Sequence, residues 1–99
     1  MRGLTVVVAG ADPARFDAAL TLVNAQAALG GRARLYCHDA AVTLLTASTL
    51  LDTARELGVR FVLCQTALAA HDVALPEGTE AGGMIGLVAD LDDDRLVVM

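Results

Sequence analysis

Residues 59–73, VRFVLCQTALAAHDV, decide how this chain is read. Val59 to Cys64, apolar apart from Arg60, reads as a strand that ends at the cysteine. Gln65 to Ala70 is short, Ala-rich and polar at its start, which predicts a short helix beginning where the strand stops. Cys64 therefore sits between a strand end and a helix start. Outward from this unit the same alternation repeats. LTVVVA (4–9) is a strand, and Asp12-Pro13 supplies an N-cap followed by proline at the first helical position. Phe16, Ala19, Leu20, Val23 and Ala27 recur at helical spacing over 13–29, and Gly30-Gly31 ends that helix. ARLYC (33–37) is a second strand. Asp39 then caps a short helix carrying Val42, Leu44 and Leu45. A polar break at 46–49 precedes a helix over 49–57, which Gly58 stops.

Pro76-Glu77-Gly78 is a turn. Residues 79–83 read as a degenerate strand or a loop, 84–91 as a helix weakened by Gly86, and 95–99 as a closing strand. Asp92-Asp93-Asp94 reads as a solvated turn. Alternating strands and helices predict one α/β domain over 1–99, a three-layer α/β/α sandwich with a mainly parallel sheet of four to five strands. In such sheets ligands and chemistry gather beyond the carboxyl ends of the strands. Both cysteines, Cys37 and Cys64, fall at such ends.

Composition narrows the function. The chain has 99 residues, of which 56% are apolar. That exceeds the roughly 45–50% typical of soluble domains, and it predicts apolar surface buried against another subunit. The net charge of −5 is uneven: residues 1–50 carry +1 and residues 51–99 carry −6. An acidic chain with a pI near 4.6 argues against nucleic-acid binding. There is no lysine, which excludes Schiff-base chemistry and a Walker A loop. Apolar runs break well before the ~18 residues a membrane span needs. MRGLTVVVAGADPA faintly imitates a signal peptide, but its β-branched run reads as the first strand, which predicts a cytoplasmic protein without a membrane span.

Three clusters compete for the chemistry. The backbone N–H groups at the start of the helix after Cys64, over Gln65, Thr66 and Ala67, would stabilise a thiolate against the alternative of a packed, inert thiol. Cys37-His38-Asp39 suggests a relay, although adjacent residues seldom face one another. His71 reads chiefly as a C-terminal cap and His38 as a loop residue, each able to assist proton movement. A metal site from Cys37, His38, Cys64 and His71 has no supporting spacing. The AGAD glycine after the first strand offers N–H groups to an anion but forms no GxGxxG.

The order of these features resembles the DsrE/DsrF-like family, most closely its TusD/DsrE sulfur-relay branch, over nearly the whole chain. LTVVVAGAD is similar to that family's first strand and loop, and LYCHDAAVTLL to its second strand and following helix. GVRFVLCQTALAAHDV resembles the segment that holds its persulfide-carrying cysteine, and TEAGGMIGLVADLDDDRLVVM its closing strand–helix–strand. His71-Asp72 stands where a basic residue and glycine are common, and the loops around 46–49 and 77–79 are shorter. The resemblance implies a DsrE-like fold, a bacterial sulfurtransferase-like relay protein with a persulfide on Cys64, and transfer of sulfane sulfur from a donor protein to a partner thiol. It also implies homotrimers or hexamers and no metal or organic cofactor. The alternative is a non-catalytic oligomeric DsrE-like binding module in which Cys64 is a packed thiol. A third reading, a thiol redox protein, needs Cys37 and Cys64 close enough to form a disulfide.

Overall fold

Local chemistry sets the element ends. The Asp12 carboxylate accepts from the N–H groups of Ala14 and Arg15 at 3.0 and 3.3 Å, starting helix α1 (Pro13–Ala28). Gly30, at φ +87°, turns the chain out of that helix in a left-handed conformation suited to glycine. Ser48 Oγ accepts from the Leu51 N–H at 3.1 Å and caps α2 (Thr49–Glu56). Before, between and after these helices the apolar runs form strands β1 (Leu4–Ala9), β2 (Ala33–His38) and β3 (Arg60–Cys64). The computed structural model describes all of residues 1–99 and completes the order with α3 (Gln65–Ala70), β4 (Glu80–Gly82), α4 (Met84–Ala89) and β5 (Arg95–Val98). A 3-10 helix spans Asp39–Leu44.

The five strands make one sheet in the order β4-β3-β2-β1-β5, with every neighbouring pair parallel. From β1 to β4 each strand lies next to its predecessor, so right-handed crossovers place α1, α2 and α3 on one face. The return from β4 to β5 spans the sheet in the opposite direction, and it carries α4 to the other face. Packing follows this division. Val6, Val8, Leu35, Phe61 and Leu63 point into the main core against Phe16, Leu20, Val23, Leu51 and Leu68. The intervening residues Val7 and Tyr36 point the other way and meet Leu87 of α4. This is the expected α/β/α arrangement with a parallel sheet, and residues 79–83 contribute its short edge strand. No helix is long and apolar enough to cross a membrane.

The two faces are unequally covered. Each fully buried aliphatic or aromatic side chain of the main core contributes about 1.5–3 kcal/mol. The opposite face has only the six-residue α4 as a roof. Ile85 remains 89% exposed and Val98 66% exposed, with Val88, Leu96 and Met84 also open.

Two expectations are corrected. Asp92-Asp93-Asp94 is not simply a solvated turn: Asp92 and Asp93 are exposed, but Asp94 is buried. Its carboxylate pairs with Arg32, accepts from the Thr5 hydroxyl at 2.9 Å and lies 3.8 Å from Arg34. Arg34 in turn donates to the Leu87 and Asp90 carbonyls at the C-terminal end of α4. The network anchors β5 to β1 and holds the roof helix to the sheet. Asp39 does not cap the short helix either. It adopts φ +52°, His38 takes the cap position without a side-chain bond, and the Asp39 carboxylate serves His71 instead.

Candidate functional site

The chain leaves β3 towards α3 on one face and leaves β4 towards α4 on the other. Adjacent parallel strands whose exits diverge in this way open a crevice beyond their carboxyl ends. Cys64 closes β3 and Gly82, its register partner, closes β4. The resulting open cleft, about 680 Å³, is lined by Tyr36, His38, Cys64, Gln65, Thr66, Ala69, Gly82, Gly83 and Met84. It exists because Gly82 and Gly83 present no side chain. A Cβ on Gly82 would approach Val62 Cγ1 to 2.9 Å, whereas a Cβ on Gly83 would meet nothing within 4 Å.

Cys64 is half-buried and free, and it is positioned at the N-cap of α3. As a thiol it closes no cap hydrogen bond. Partial burial pushes its pKa up, but the backbone N–H of Ala67, the Tyr36 hydroxyl and the N–H groups of Thr66 and Asp39 outweigh burial, so it lies below an ordinary thiol's. These donors favour the thiolate, the form that attacks sulfur. The left-handed turn at Asp39 belongs to this geometry, since it is the Asp39 backbone that reaches the sulfur. A non-glycine residue held at positive φ is uncommon and clusters at functional sites.

Cys37 is the opposite case. It is buried in the main core, and burial pushes its pKa up to about 12. It pairs in register with Leu63, one residue before Cys64, so strand alternation sends the two thiols to opposite faces of the sheet. That geometry leaves no disulfide between them. His38 lines the cleft and stacks on Tyr36, with ring centroids 6.4 Å apart. His71 caps the end of α3 outside the cleft, where its Nε2 lies 3.2 Å from Asp39 Oδ1. It touches the site only through Asp39. Cys37, His38, Cys64 and His71 are not gathered as metal ligands.

Sequence reasoning found Cys64, Gln65, Thr66 and His38 but not the Tyr36 hydroxyl or the Asp39 N–H. The signal for Tyr36 was its parity: it and Cys64 share a sheet face once β2 and β3 are set in register. The open side of the cleft lies beside the exposed residues of α4, so an approaching macromolecule meets Met84 next to the thiol. No protein-family model matches this chain, and no curated protein matches it either.

Proposed function

We propose that this protein is a cytoplasmic persulfide carrier of the sulfur-relay type, with Cys64 as the reacting atom. The observation that carries the reading is the half-buried Cys64 at the switch-point cleft, with its pKa held down by converging donors. In the loading step the Cys64 thiolate attacks the outer sulfur of a donor persulfide, R–S–SH. The donor's S–S bond breaks, a new S–S bond forms on Cys64, and the donor leaves as R–S⁻. The exchange is balanced without an added oxidant or cofactor. The donor and the acceptor are protein thiols, and the cleft is open enough to admit a cysteine presented on a chain terminus or loop. The resemblance of GVRFVLCQTALAAHDV to the persulfide-bearing segment of DsrE/DsrF-like proteins supports the same reading.

The exposed apolar face of α4 and β5 supports self-association into a homotrimer or hexamer. It favours a second reading as well, an oligomeric binding module in which Cys64 is inert. Intact-protein mass spectrometry after incubation with a sulfane-sulfur donor separates the two. Carriage requires one added sulfur atom in the wild type and in Cys37→Ser, and none in Cys64→Ser. A Cys64 that stays unmodified in the native protein, yet reacts once denatured, leaves the binding module.

A further inference from the structure

Tyr36 is a large polar side chain with 1% of its surface exposed. Val7, Leu87 and Val62 pack around its ring, with Cys64 against the same cluster. A buried phenol ordinarily finds a partner for its O–H. Here the Cys64 sulfur packs against the same cluster and lines the same cleft as the phenol, which makes it the acceptor nearest to hand. A cysteine alone marks no site, but a buried phenol lining the same cleft beside it adds an independent feature. Burial, followed by the Cys64 contact, raises the Tyr36 pKa to about 12, so the phenol keeps its proton at neutral pH and can only donate to a thiolate.

We propose that Tyr36 is a positioning residue whose O–H donates to the Cys64 sulfur and stabilises its thiolate both as attacking group and as leaving group. In the onward step an acceptor thiolate attacks the outer sulfur of Cys64–S–SH. The S–S bond breaks, its electron pair returns to the Cys64 sulfur, and the acceptor carries away the sulfane sulfur. The Tyr36 proton stays on the phenol throughout; its hydrogen bond shortens as charge returns to sulfur. The packing of Val7 and Leu87 around the ring holds the phenol in place. His38 is the only other titratable side chain lining the cleft, and the His71–Asp39 pair stands behind the Asp39 N–H.

The test is the pH profile of Cys64 alkylation by iodoacetamide, read by peptide mass spectrometry in wild type and Tyr36→Phe. Phenylalanine keeps the ring packing and removes only the donor, so the variant folds, and continued protection of Cys37 verifies an intact core. In Tyr36→Phe the profile moves to higher pH, alkylation at neutral pH falls roughly tenfold, and the alkaline plateau is unchanged. Release of sulfur from the loaded variant to a small thiol slows with it. A Tyr36→Phe profile that superimposes on wild type overturns the proposal. So does one lowered equally at every pH, since that reports access rather than thiolate stability. The inference rests on the carrier reading for its leaving-group half only. A protein that accepts no sulfur, yet shows the shifted profile, would sink the carrier and leave the Tyr36–Cys64 pairing standing.

Discussion

Asp94 offers the sharpest test of what holds the roof of the cleft in place. Its side chain has no exposed surface, and Arg34 beside it is 3% exposed, whereas Arg32 is 47% exposed. Asp94→Ala removes the acceptor of the Thr5 hydroxyl and leaves the Arg34 guanidinium buried with only neutral partners: Thr5 Oγ1 and the carbonyls of Leu87 and Asp90. Breaking a buried pair by deleting one partner costs about 3–5 kcal/mol, chiefly because the other charge is stranded. For a chain of this size that lowers Tm by roughly 15 °C or more. Arg32→Ala costs less, because the Arg32 guanidinium is open to water that screens its charge and its loss strands only one arm of Asp94. Replacing both buried charges, Arg34→Met with Asp94→Leu, recovers most of the loss. Urea unfolding followed by circular dichroism measures all four proteins. The pH dependence has a fixed sign. Burial raises the Asp94 pKa, but bonds from Arg32 and Thr5 and the charges of Arg32 and Arg34 outweigh it, so the folded value is depressed. The contribution is therefore complete above the carboxyl pKa of the unfolded chain and disappears as pH falls through the lower folded value. Wild type and Asp94→Ala converge in acid. Equal losses from Asp94→Ala and Arg32→Ala, or a gap between wild type and Asp94→Ala that persists in acid, would refute the stranded-charge argument.

Two further outcomes follow from the site and the exposed face. Gly83→Leu places a side chain in open space on extended backbone, so it should leave the unfolding free energy within about 1 kcal/mol of wild type while slowing Cys64 modification by large reagents more than by small ones. Gly82→Val instead drives a Cβ into Val62 and should destabilise by roughly 1–3 kcal/mol; equal Tm losses at the two glycines would show that the cleft walls are misplaced. Ile85→Glu combined with Val98→Glu should abolish the proposed self-association in light scattering without lowering helix content, and a mass unchanged from an oligomeric wild type would remove this face as the interface.

The strands were legible because LTVVVA is a β-branched run and RFVLC is apolar after Arg60, and the helices because Asp12-Pro13 and the glycines Gly30 and Gly58 act within a few residues of themselves. Cys64 was legible for the same reason, as a strand end abutting a helix start. What stayed hidden depends on partners distant in the chain. Three consecutive aspartates look alike in sequence, and only the docking of β5 beside Thr5 selects Asp94 for burial. Arg34, inside an otherwise apolar buried strand, was the residue that called for such a carboxylate. The Tyr36 contact needs the β2–β3 register, and the Asp39 N–H needs a left-handed turn that an L-residue rarely takes.

The strand order also has a consequence in time. Leu4 pairs with Ala33, Leu35 with Phe61 and Leu63 with Ala81, so β1, β2 and β3 each pair with the next strand in the chain. The last pairing is different: Thr5 must wait for Leu96. As the chain emerges during synthesis, four strands can zip together while the outer edge of β1, an apolar strand, stands bare until Arg95–Val98 appear. Long-range closures are the slow ones, and an open apolar edge is a template for another chain. In this topology the interval before β5 arrives is when misassembly threatens, and the Asp94 network is the latch that ends it.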